Sequence, residues 1–178
     1  MTRIAALEPA DTHGKTRATL DAVHRMLGAT PNLFRVAAQA PAVLDGLVAL
    51  SGALSQGSLA ARDREAIAIT VAEANGCDYC LSAHTALGKR AGLADADLDR
   101  ARDHTAADPR LAAILAFAHE LVVARGRVGE AAVAAAREAG LGDRELLEII
   151  GNVAVNVLTN YINLVAETPI DFPLVRSR

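Results

Sequence analysis

The chain has 178 residues, 52% of them hydrophobic and 22% charged, and its formal net charge at pH 7 is −3. This length suits one domain, and the apolar content is enough to form a core without disulfide bonds. The small net charge, with Lys and Arg scattered along the chain, argues against binding to nucleic acid or to a membrane surface.

The N-terminal segment lacks the apolar run of a secretory leader, because Glu8 and Pro9 end its apolar stretch after a few residues. We therefore expect a cytoplasmic protein. In that reducing compartment, a Cys-x-x-Cys pair is more typical of catalysis or metal binding than of a structural disulfide bond. Residues 1–15 and 173–178 are predicted to be loosely held ends.

Apolar residues recur at helical spacing along almost the whole chain, as in Leu111, Ile114, Leu115 and Ala118. No run of β-branched residues alternates as a strand would, and alanine, the best helix former, is abundant. The predicted breaks between helices lie at Pro31, Pro41, Gly57, Asn75, Gly92, Asp108 and Gly140. These breaks give about eight helices with short loops, which predicts an all-α, single-domain helical bundle over residues 1–178.

The last predicted helix contains an uncharged run, residues 149–166, that is close to the length needed to cross a bilayer. The asparagine amides in this run would be costly in hydrocarbon, so we predict a buried helix of a soluble protein. They are Asn152, Asn156, Asn160 and Asn163. The first three form one polar line along the helix. They could face an active site or a subunit partner, or satisfy neighbouring backbone groups.

The chemistry-bearing residues lie in the segment from Cys77 to His84. The Asn75-Gly76 break allows a new helix to start at Cys77, which places Cys77, Cys80 and His84 on one helix face. The two sulfurs can close into a disulfide over one turn, and the free N–H groups of a first turn lower the pKa of a thiol. His84 can take a proton from Cys80 and return one later. The pattern predicts a thiol oxidoreductase.

A metal or haem site fits this pattern less well. Zinc usually needs four ligands, and His13, His24, His104 and His119 lie outside any cluster, so zinc would require a distant ligand. Covalent haem attachment needs a His directly after the second Cys, where Leu81 stands. The remaining alternative is that both cysteines act as small buried hydrophobes. We predict no metal and no haem or flavin cofactor.

Glu65, Cys77, Cys80 and His84 together reproduce the pattern Glu-x11-Cys-x2-Cys-x3-His. This pattern resembles the alkyl hydroperoxidase D family, within the wider carboxymuconolactone decarboxylase-like group. Residues 159–163 and 170–173 resemble the peroxidase-related branch of that group. The resemblance covers roughly residues 44–173, the predicted core.

The resemblance implies an all-α fold that assembles as a homo-oligomer, either a trimer or a hexamer. It implies that Cys80 attacks a small hydroperoxide and becomes a sulfenic acid, and that Cys77 donates a proton and closes the disulfide. His84 and Glu65 would form a proton relay, and a dithiol carrier or redox protein would reduce the disulfide. Tyr79 departs from family members that carry a His between the cysteines. It titrates too high to act as a base, so it would only donate a hydrogen bond or pack.

The place of Glu65 depends on the fold. On one straight helix it would lie ~18 Å from Cys77, so the chain must fold back at the break for Glu65 to reach His84. Glu73 is a rival because it lies nearer the turn. Glu65 could instead form a salt bridge with a neighbouring arginine, Arg62 or Arg64.

Three other functions remain open from the sequence. A lactone decarboxylase of the same fold would need a carboxylate or His proton relay and no thiols. A non-catalytic redox sensor or partner-binding helical protein would change its assembly on oxidation. A general thiol–disulfide exchanger would reduce protein disulfides without using a peroxide.

Overall fold

The computed structural model describes residues 2–178, which form nine α-helices, one short 3-10 helix at Pro9–Asp11 and no β-strand. The helices are α1 Gly14–Leu27, α2 Asn32–Ala37, α3 Pro41–Ser55, α4 Ala61–Ala74, α5 Asp78–Arg90, α6 Asp95–Arg102, α7 Pro109–Val123, α8 Glu130–Glu138 and α9 Asp143–Ala166. The all-α prediction is confirmed, and the helix number is close to the one expected.

The helix boundaries follow the punctuation of the sequence. At the start of α7, the Asp108 side chain accepts a hydrogen bond from the Arg110 N–H at 3.0 Å, and Pro109 occupies the first helical position. Both features favour a helix start, because the first-turn N–H groups have no partner within the helix.

A glycine turn folds α5 back against α4. Gly76 has φ +64°, its N–H bonds to the Glu73 carbonyl at 3.1 Å, and the Cys77 N–H bonds to the Ala72 carbonyl at 2.9 Å. This pair of bonds is a Schellman motif, which ends a helix on a left-handed residue and favours glycine there. The motif fixes Cys77 at the junction of the two helices.

Helix α4 lies at the centre of the bundle, where it packs against α5, α6, α7 and α9. Its side chains Ile67, Ile69 and Val71 are fully buried in the main core. A smaller cluster joins α1, α2 and α3 through Leu20, Ala37, Ala38 and Leu44. The hairpin of α4 and α5 is therefore held rigidly from several sides, which suits an element that positions reactive groups.

Helix α9 is long and apolar enough to cross a membrane by length and composition, but half of its most apolar window is buried within the protein. This is typical of a core helix. Two of its amides satisfy carbonyls one turn earlier, since Asn152 Nδ2 donates to Glu148 O at 2.7 Å and Asn156 Nδ2 donates to Asn152 O at 2.8 Å. Its outer face exposes a row of large apolar residues: Leu147, Ile150, Leu158, Tyr161, Leu164 and Val165.

The prediction of a loose C-terminal end is wrong. The segment 171–178, which we call the C-terminal strap, bonds to the first turns of α5. The Val175 N–H donates to Ser82 Oγ at 2.9 Å, and the Ser177 N–H donates to Asp78 Oδ1 at 2.8 Å. Arg178 pairs with acidic side chains at the end of α6. Hydrogen bonds and ion pairs with side chains of α5 and α6 therefore hold the strap in place.

The N-terminal end is also attached, which again differs from expectation. Arg35 Nε donates to the Leu7 carbonyl at 2.9 Å, and the Leu7 N–H donates to the Arg35 carbonyl at 3.0 Å. Gln39 Nε2 donates to the Ala5 carbonyl at 2.9 Å. Hydrogen bonds from side chains of α2 and of the turn after it thus hold this segment in place.

Candidate active site

Cys77 and Cys80 lie together at the start of α5. Cys77 is the N-cap residue, and its sulfur accepts a hydrogen bond from the Cys80 N–H at 3.3 Å. The Cys77 thiol donates to Cys80 Sγ, with the two sulfurs 2.7 Å apart. Both thiols are free and almost fully buried. The spacing thus gives the predicted geometry, in which two sulfurs meet over one turn.

The two thiols differ strongly in acidity. The hydrogen bond from Cys77 lowers the pKa of Cys80 to about 7, although burial opposes the change. A hydrogen bond from Asn163 and the positive charge of His84 add to this lowering. The same Cys77–Cys80 hydrogen bond and burial raise the pKa of Cys77 far above its usual range. Cys80 is therefore the thiolate of the pair, and Cys77 stays protonated.

His84 lies one turn after Cys80 and bonds to Glu65 on α4, with 2.8 Å between Nδ1 and Oε2. Burial acts to lower the pKa of His84, but the charge and hydrogen bond of Glu65, together with Cys80, raise it above its ordinary value. The raised pKa favours an imidazolium beside the thiolate. With Nδ1 bonded to the carboxylate, Nε2 is the ring nitrogen left to exchange a proton.

The fold-back at the glycine turn therefore brings Glu65 to His84. The rival Glu73 instead pairs with Arg102, with 2.6 Å between Oε2 and Nε. The alternative salt bridges of Glu65 do not form, since Arg62 pairs with Asp63 at 3.5 Å and Arg64 bonds to a backbone carbonyl.

Two asparagines of α9 complete the surroundings of Cys80. Asn163 Nδ2 donates to Cys80 Sγ at 3.2 Å, and Asn160 Oδ1 accepts from Asn75 Nδ2 at 2.8 Å. Of the polar line Asn152, Asn156 and Asn160, only the last reaches the cysteines. Sequence reasoning left Asn163 out of the site, although its position three residues after Asn160 places it on the same helix face.

Tyr79 is a structural link. Its hydroxyl accepts a hydrogen bond from the Leu33 N–H at 3.1 Å, and its ring meets Phe172 edge-on, with centroids 5.9 Å apart. Burial raises the pKa of Tyr79 well above its usual range, and the nearby Asp171 carboxylate contributes. Tyr79 therefore joins α5 to α2 and to the C-terminal strap, and the acidity of its hydroxyl does not suit a base.

A cavity of about 390 Å³ opens beside the His84–Glu65 pair. Both of these side chains line it, whereas neither cysteine is among its lining residues within the described part of the chain. Apolar side chains form most of its wall, and they include Met26, Leu33, Phe34, Leu47, Leu54 and Phe172. The cavity can thus hold an apolar molecule against the imidazole, one helical turn from the buried Cys80.

Among residues 2–178, no group of three or more His, Cys, Asp or Glu side chains is arranged to hold a metal ion.

The model of the carboxymuconolactone decarboxylase family matches residues 41–122, a stretch that contains Glu65, Cys77, Cys80 and His84. The chain also superposes on a peroxidase-related protein with an alkylhydroperoxidase core from Ralstonia eutropha. That match has a TM-score of 0.85 and 27% identity, over 96% of this chain and 92% of that chain. Both findings support the alkyl hydroperoxidase D-like, carboxymuconolactone decarboxylase-like family as the one that this chain resembles.

Other solved members of the fold are more distant. A peroxidase-related protein from a Silicibacter species is 24% identical, with a TM-score of 0.80 over 94% of this chain and 91% of that chain. The debrominase Bmp8 in complex with 2,3,4-tribromopyrrole is 18% identical, with a TM-score of 0.82 over 96% of this chain and 92% of that chain. These two likenesses show the fold alone. No protein with a curated functional description matches the chain significantly.

Within the alkyl hydroperoxidase D-like fold, this site combines three chemical capacities. Cys80 supplies a nucleophilic sulfur, Cys77 supplies a protonated thiol within bonding reach, and His84 supplies a proton held by Glu65. A thiolate, a resolving thiol and a general acid are what a two-electron redox cycle at sulfur requires.

Proposed function

We propose that this protein is a thiol-dependent peroxidase, which reduces hydrogen peroxide or organic hydroperoxides through a Cys77–Cys80 disulfide. The observation that carries the proposal is the short contact between the acidic Cys80 and the protonated Cys77, beside the His84–Glu65 pair. Because the thiolate and the proton donor coexist near neutral pH, the site suits cleavage of a weak O–O bond.

In the first step, the Cys80 thiolate attacks the hydroxyl oxygen of the hydroperoxide. An S–O bond forms, the O–O bond breaks, and its electron pair leaves on the alkoxide, which takes a proton from His84. In the second step, the Cys77 sulfur attacks the Cys80 sulfenic acid. An S–S bond forms, the S–O bond breaks, and the departing hydroxide takes the Cys77 proton to give water.

The cycle needs a two-electron reductant, and we propose a dithiol carrier or redox protein that exchanges thiols with the disulfide. A reducing compartment such as the cytoplasm would maintain that reductant. We also propose that the chain works as a homo-oligomer, a trimer or hexamer, in line with the family resemblance.

The apolar cavity favours organic hydroperoxides over hydrogen peroxide. Its volume of about 390 Å³ is far larger than hydrogen peroxide requires, and small-ligand pockets of this size and apolar lining bury most of their ligand. The substrate class supported best is therefore a hydroperoxide whose apolar body fills the cavity and whose peroxide group reaches past His84 to Cys80.

The test is stopped-flow consumption of hydrogen peroxide and of a bulky organic hydroperoxide, combined with thiol counting. We expect one equivalent of peroxide to convert two thiols into one disulfide in the wild-type chain. Cys80→Ser should abolish the reaction, and His84→Ala should slow it by about a hundredfold. If peroxide leaves both thiols free, the proposal fails.

The same cavity supports a second candidate, the reductive removal of a halogen from an apolar ring, because the fold is shared with a debrominase. In that reaction the Cys80 sulfur would take the halogen, the ring would take a proton from His84, and Cys77 would displace halide as the disulfide forms. Release of bromide from a bromopyrrole, with no peroxide consumed, would favour it. A lactone decarboxylase would instead keep its activity when both cysteines are replaced by serine.

A further inference from the structure

The Cys80 sulfur lies beside two buried amides whose hydrogen bonding is incomplete. Asn163 Nδ2 donates to this sulfur, and the Asn160 amide lies close enough to lower the pKa of Cys80. Among residues 2–178, Asn160 Nδ2 and Asn163 Oδ1 have no hydrogen-bond partner, although their residues are only 0% and 4% exposed. Burial of such atoms costs free energy unless a ligand or intermediate completes their bonding.

The amide of Asn160 is fixed in orientation, because its Oδ1 accepts a hydrogen bond from Asn75 Nδ2 at 2.8 Å. Its Nδ2 is thereby kept as a donor. The two preceding asparagines on α9, Asn152 and Asn156, each donate to a backbone carbonyl one turn earlier. Among these α9 asparagines, the buried amide atoms without a hydrogen-bond partner are thus confined to Asn160 and Asn163, the two that flank Cys80.

The two unpartnered atoms are one donor and one acceptor. A sulfenic acid, S–OH, carries an oxygen that accepts a hydrogen bond and a hydrogen that donates one, as any hydroxyl group does. We propose that Asn160 and Asn163 hold Cys80 as a thiolate and then bind the oxygen atom that its sulfur takes from the hydroperoxide. The Asn160 N–H donates to that oxygen, and the new O–H donates to Asn163 Oδ1.

This inference rests on the proposed peroxidase function and deepens it. The oxygen arrives when the S–O bond forms and the O–O bond breaks, and the amides hold it while Cys77 approaches the sulfur. When the S–S bond forms, the oxygen leaves as hydroxide, takes the Cys77 proton and becomes water. The amides thus act on the reacting sulfur and oxygen directly, whereas His84 acts on the leaving alkoxide.

The test uses full-length Cys77→Ser protein, in which Cys80 is the one remaining thiol. Asn160→Leu and Asn163→Leu are added in this background, with Asn156→Leu as the matched control, because that amide is buried on the same helix and bonds to backbone. Ultraviolet thiolate absorbance against pH gives the Cys80 titration. A sulfenic-acid trapping reagent, applied at intervals after hydrogen peroxide, gives the lifetime of the oxidised state.

We expect each site variant to raise the Cys80 titration midpoint by about one pH unit relative to the Cys77→Ser parent, which lowers the thiolate fraction below the midpoint by up to about tenfold. The sulfenic acid should also disappear at least roughly threefold faster, because its oxygen loses one hydrogen bond. Asn156→Leu should keep both properties of the Cys77→Ser parent. Asn163→Ala, which removes both the donor and the acceptor and adds no charge, replaces Asn163→Leu if that variant does not fold.

A titration and a lifetime that match those of Asn156→Leu would overturn the inference while leaving the peroxidase function intact. Failure of the proposed peroxidase function would give a different result. In that case the Cys77→Ser parent forms no sulfenic acid with any hydroperoxide, which removes the oxygen-binding role whatever the titration shows.

Discussion

At the scale of single residues, Glu65 controls the protonation of His84. Burial alone would lower the pKa of this imidazole, and the Glu65 carboxylate, bonded to Nδ1 at 2.8 Å, reverses the effect. A proton donor at neutral pH is what a departing alkoxide needs. In the proposed peroxidase reaction, the two side chains would therefore act as one unit, in which Glu65 positions and charges the ring and His84 transfers the proton.

Glu65→Gln keeps the shape of the side chain and removes its charge. We expect the pKa of His84 to fall below its ordinary value of 6.5, because burial is then opposed only by Cys80. Hydroperoxide consumption at pH 7 should fall by about a hundredfold. Proton NMR titration of the His84 ring and stopped-flow kinetics measure the two effects.

Glu73→Gln is the matched control, because this glutamate of the same helix pairs with Arg102. We expect it to leave the pKa of His84 and the peroxide rate unchanged. An equal loss of rate in both variants would contradict the assignment of Glu65 as the partner of the imidazole.

The pH dependence of the reaction follows from the two reactive groups. Because the pKa of Cys80 is lowered to about 7, the thiolate fraction and the rate rise as the pH increases through that value. Because the pKa of His84 is raised, its proton is lost only above its ordinary value, and the rate then falls. We expect a bell-shaped profile, measured by stopped-flow kinetics, whose alkaline limb moves to lower pH in Glu65→Gln. A profile that rises without a maximum would contradict a proton-donating role for His84.

At the scale of elements, the glycine turn between α4 and α5 sets the site, since Gly76 has φ +64° and directly precedes Cys77. We expect Gly76→Ala to destabilise the fold by about 1–2 kcal/mol, the cost of a left-handed backbone with a Cβ. Gly92, at φ +95° in a second Schellman turn at the other end of α5, is the control. Urea denaturation should show a similar loss of folding stability for Gly76→Ala and Gly92→Ala. Only Gly76→Ala should change the Cys80 titration.

The sequence predicted how the site residues that are close together in the chain are arranged. Cys77, Cys80 and His84 share a face because helical spacing determines it, and the turn residues marked most helix ends correctly. The place of Glu65 came from the family resemblance, because spacing alone left it ~18 Å away along a straight helix. The single-domain organisation stays a prediction.

The parts that sequence reasoning missed depend on contacts between distant positions. Asn163 lies 83 residues from Cys80, and Val175 lies 93 residues from Ser82. Local periodicity carries no information on how such segments meet, since packing of the whole bundle decides it. The C-terminal strap was missed for a second reason, because its sequence has no helical periodicity, and its hydrogen bonds and the Phe172 ring contact form with distant residues.

The C-terminal strap is bonded to the residue that follows Cys77, since Ser177 donates from both its N–H and its Oγ to Asp78 Oδ1. We expect this contact to limit access to the cysteine turn. Asp78→Asn weakens these bonds. We expect faster labelling of Cys77 by a bulky thiol reagent, by about tenfold, because local opening becomes easier. Asp95→Asn, in the first turn of α6, is the control, because Asp95 pairs with the exposed Lys89. Equal labelling rates in both variants would exclude a gating role for the strap.

The same contact predicts a response to acid. The backbone N–H of Ser177 lowers the pKa of Asp78, so this contact stabilises the protein above about pH 4, the ordinary pKa of the carboxyl group. The contribution is lost as the pH falls through the lowered folded-state pKa, and the strap should then release.

At the scale of the whole molecule, the outer face of α9 is the feature that the fold leaves uncovered. Leu147, Tyr161 and Val165 are 67%, 57% and 58% exposed, and Ile150 and Leu158 lie between them on the same helix face. Residues 147 to 165 span about 27 Å at 1.5 Å per residue. A continuous apolar stripe of this length is typical of an interface, because monomeric soluble proteins rarely expose one.

We therefore expect this face to form the interface of the proposed homo-oligomer. The double variant Leu158→Glu with Tyr161→Glu places charges in the middle of the stripe, so it should shift the assembly towards monomer. Val123→Glu is the control, because that residue is 54% exposed on another helix, α7. Light scattering after gel filtration measures the mass of each form. A wild-type monomer at high micromolar concentration would contradict the proposed homo-oligomer, and an unchanged mass for the double variant would place the interface elsewhere. Since the inner face of the same helix supplies Asn160 and Asn163, a shift to monomer that also changes the Cys80 titration would mean that assembly supports the active site.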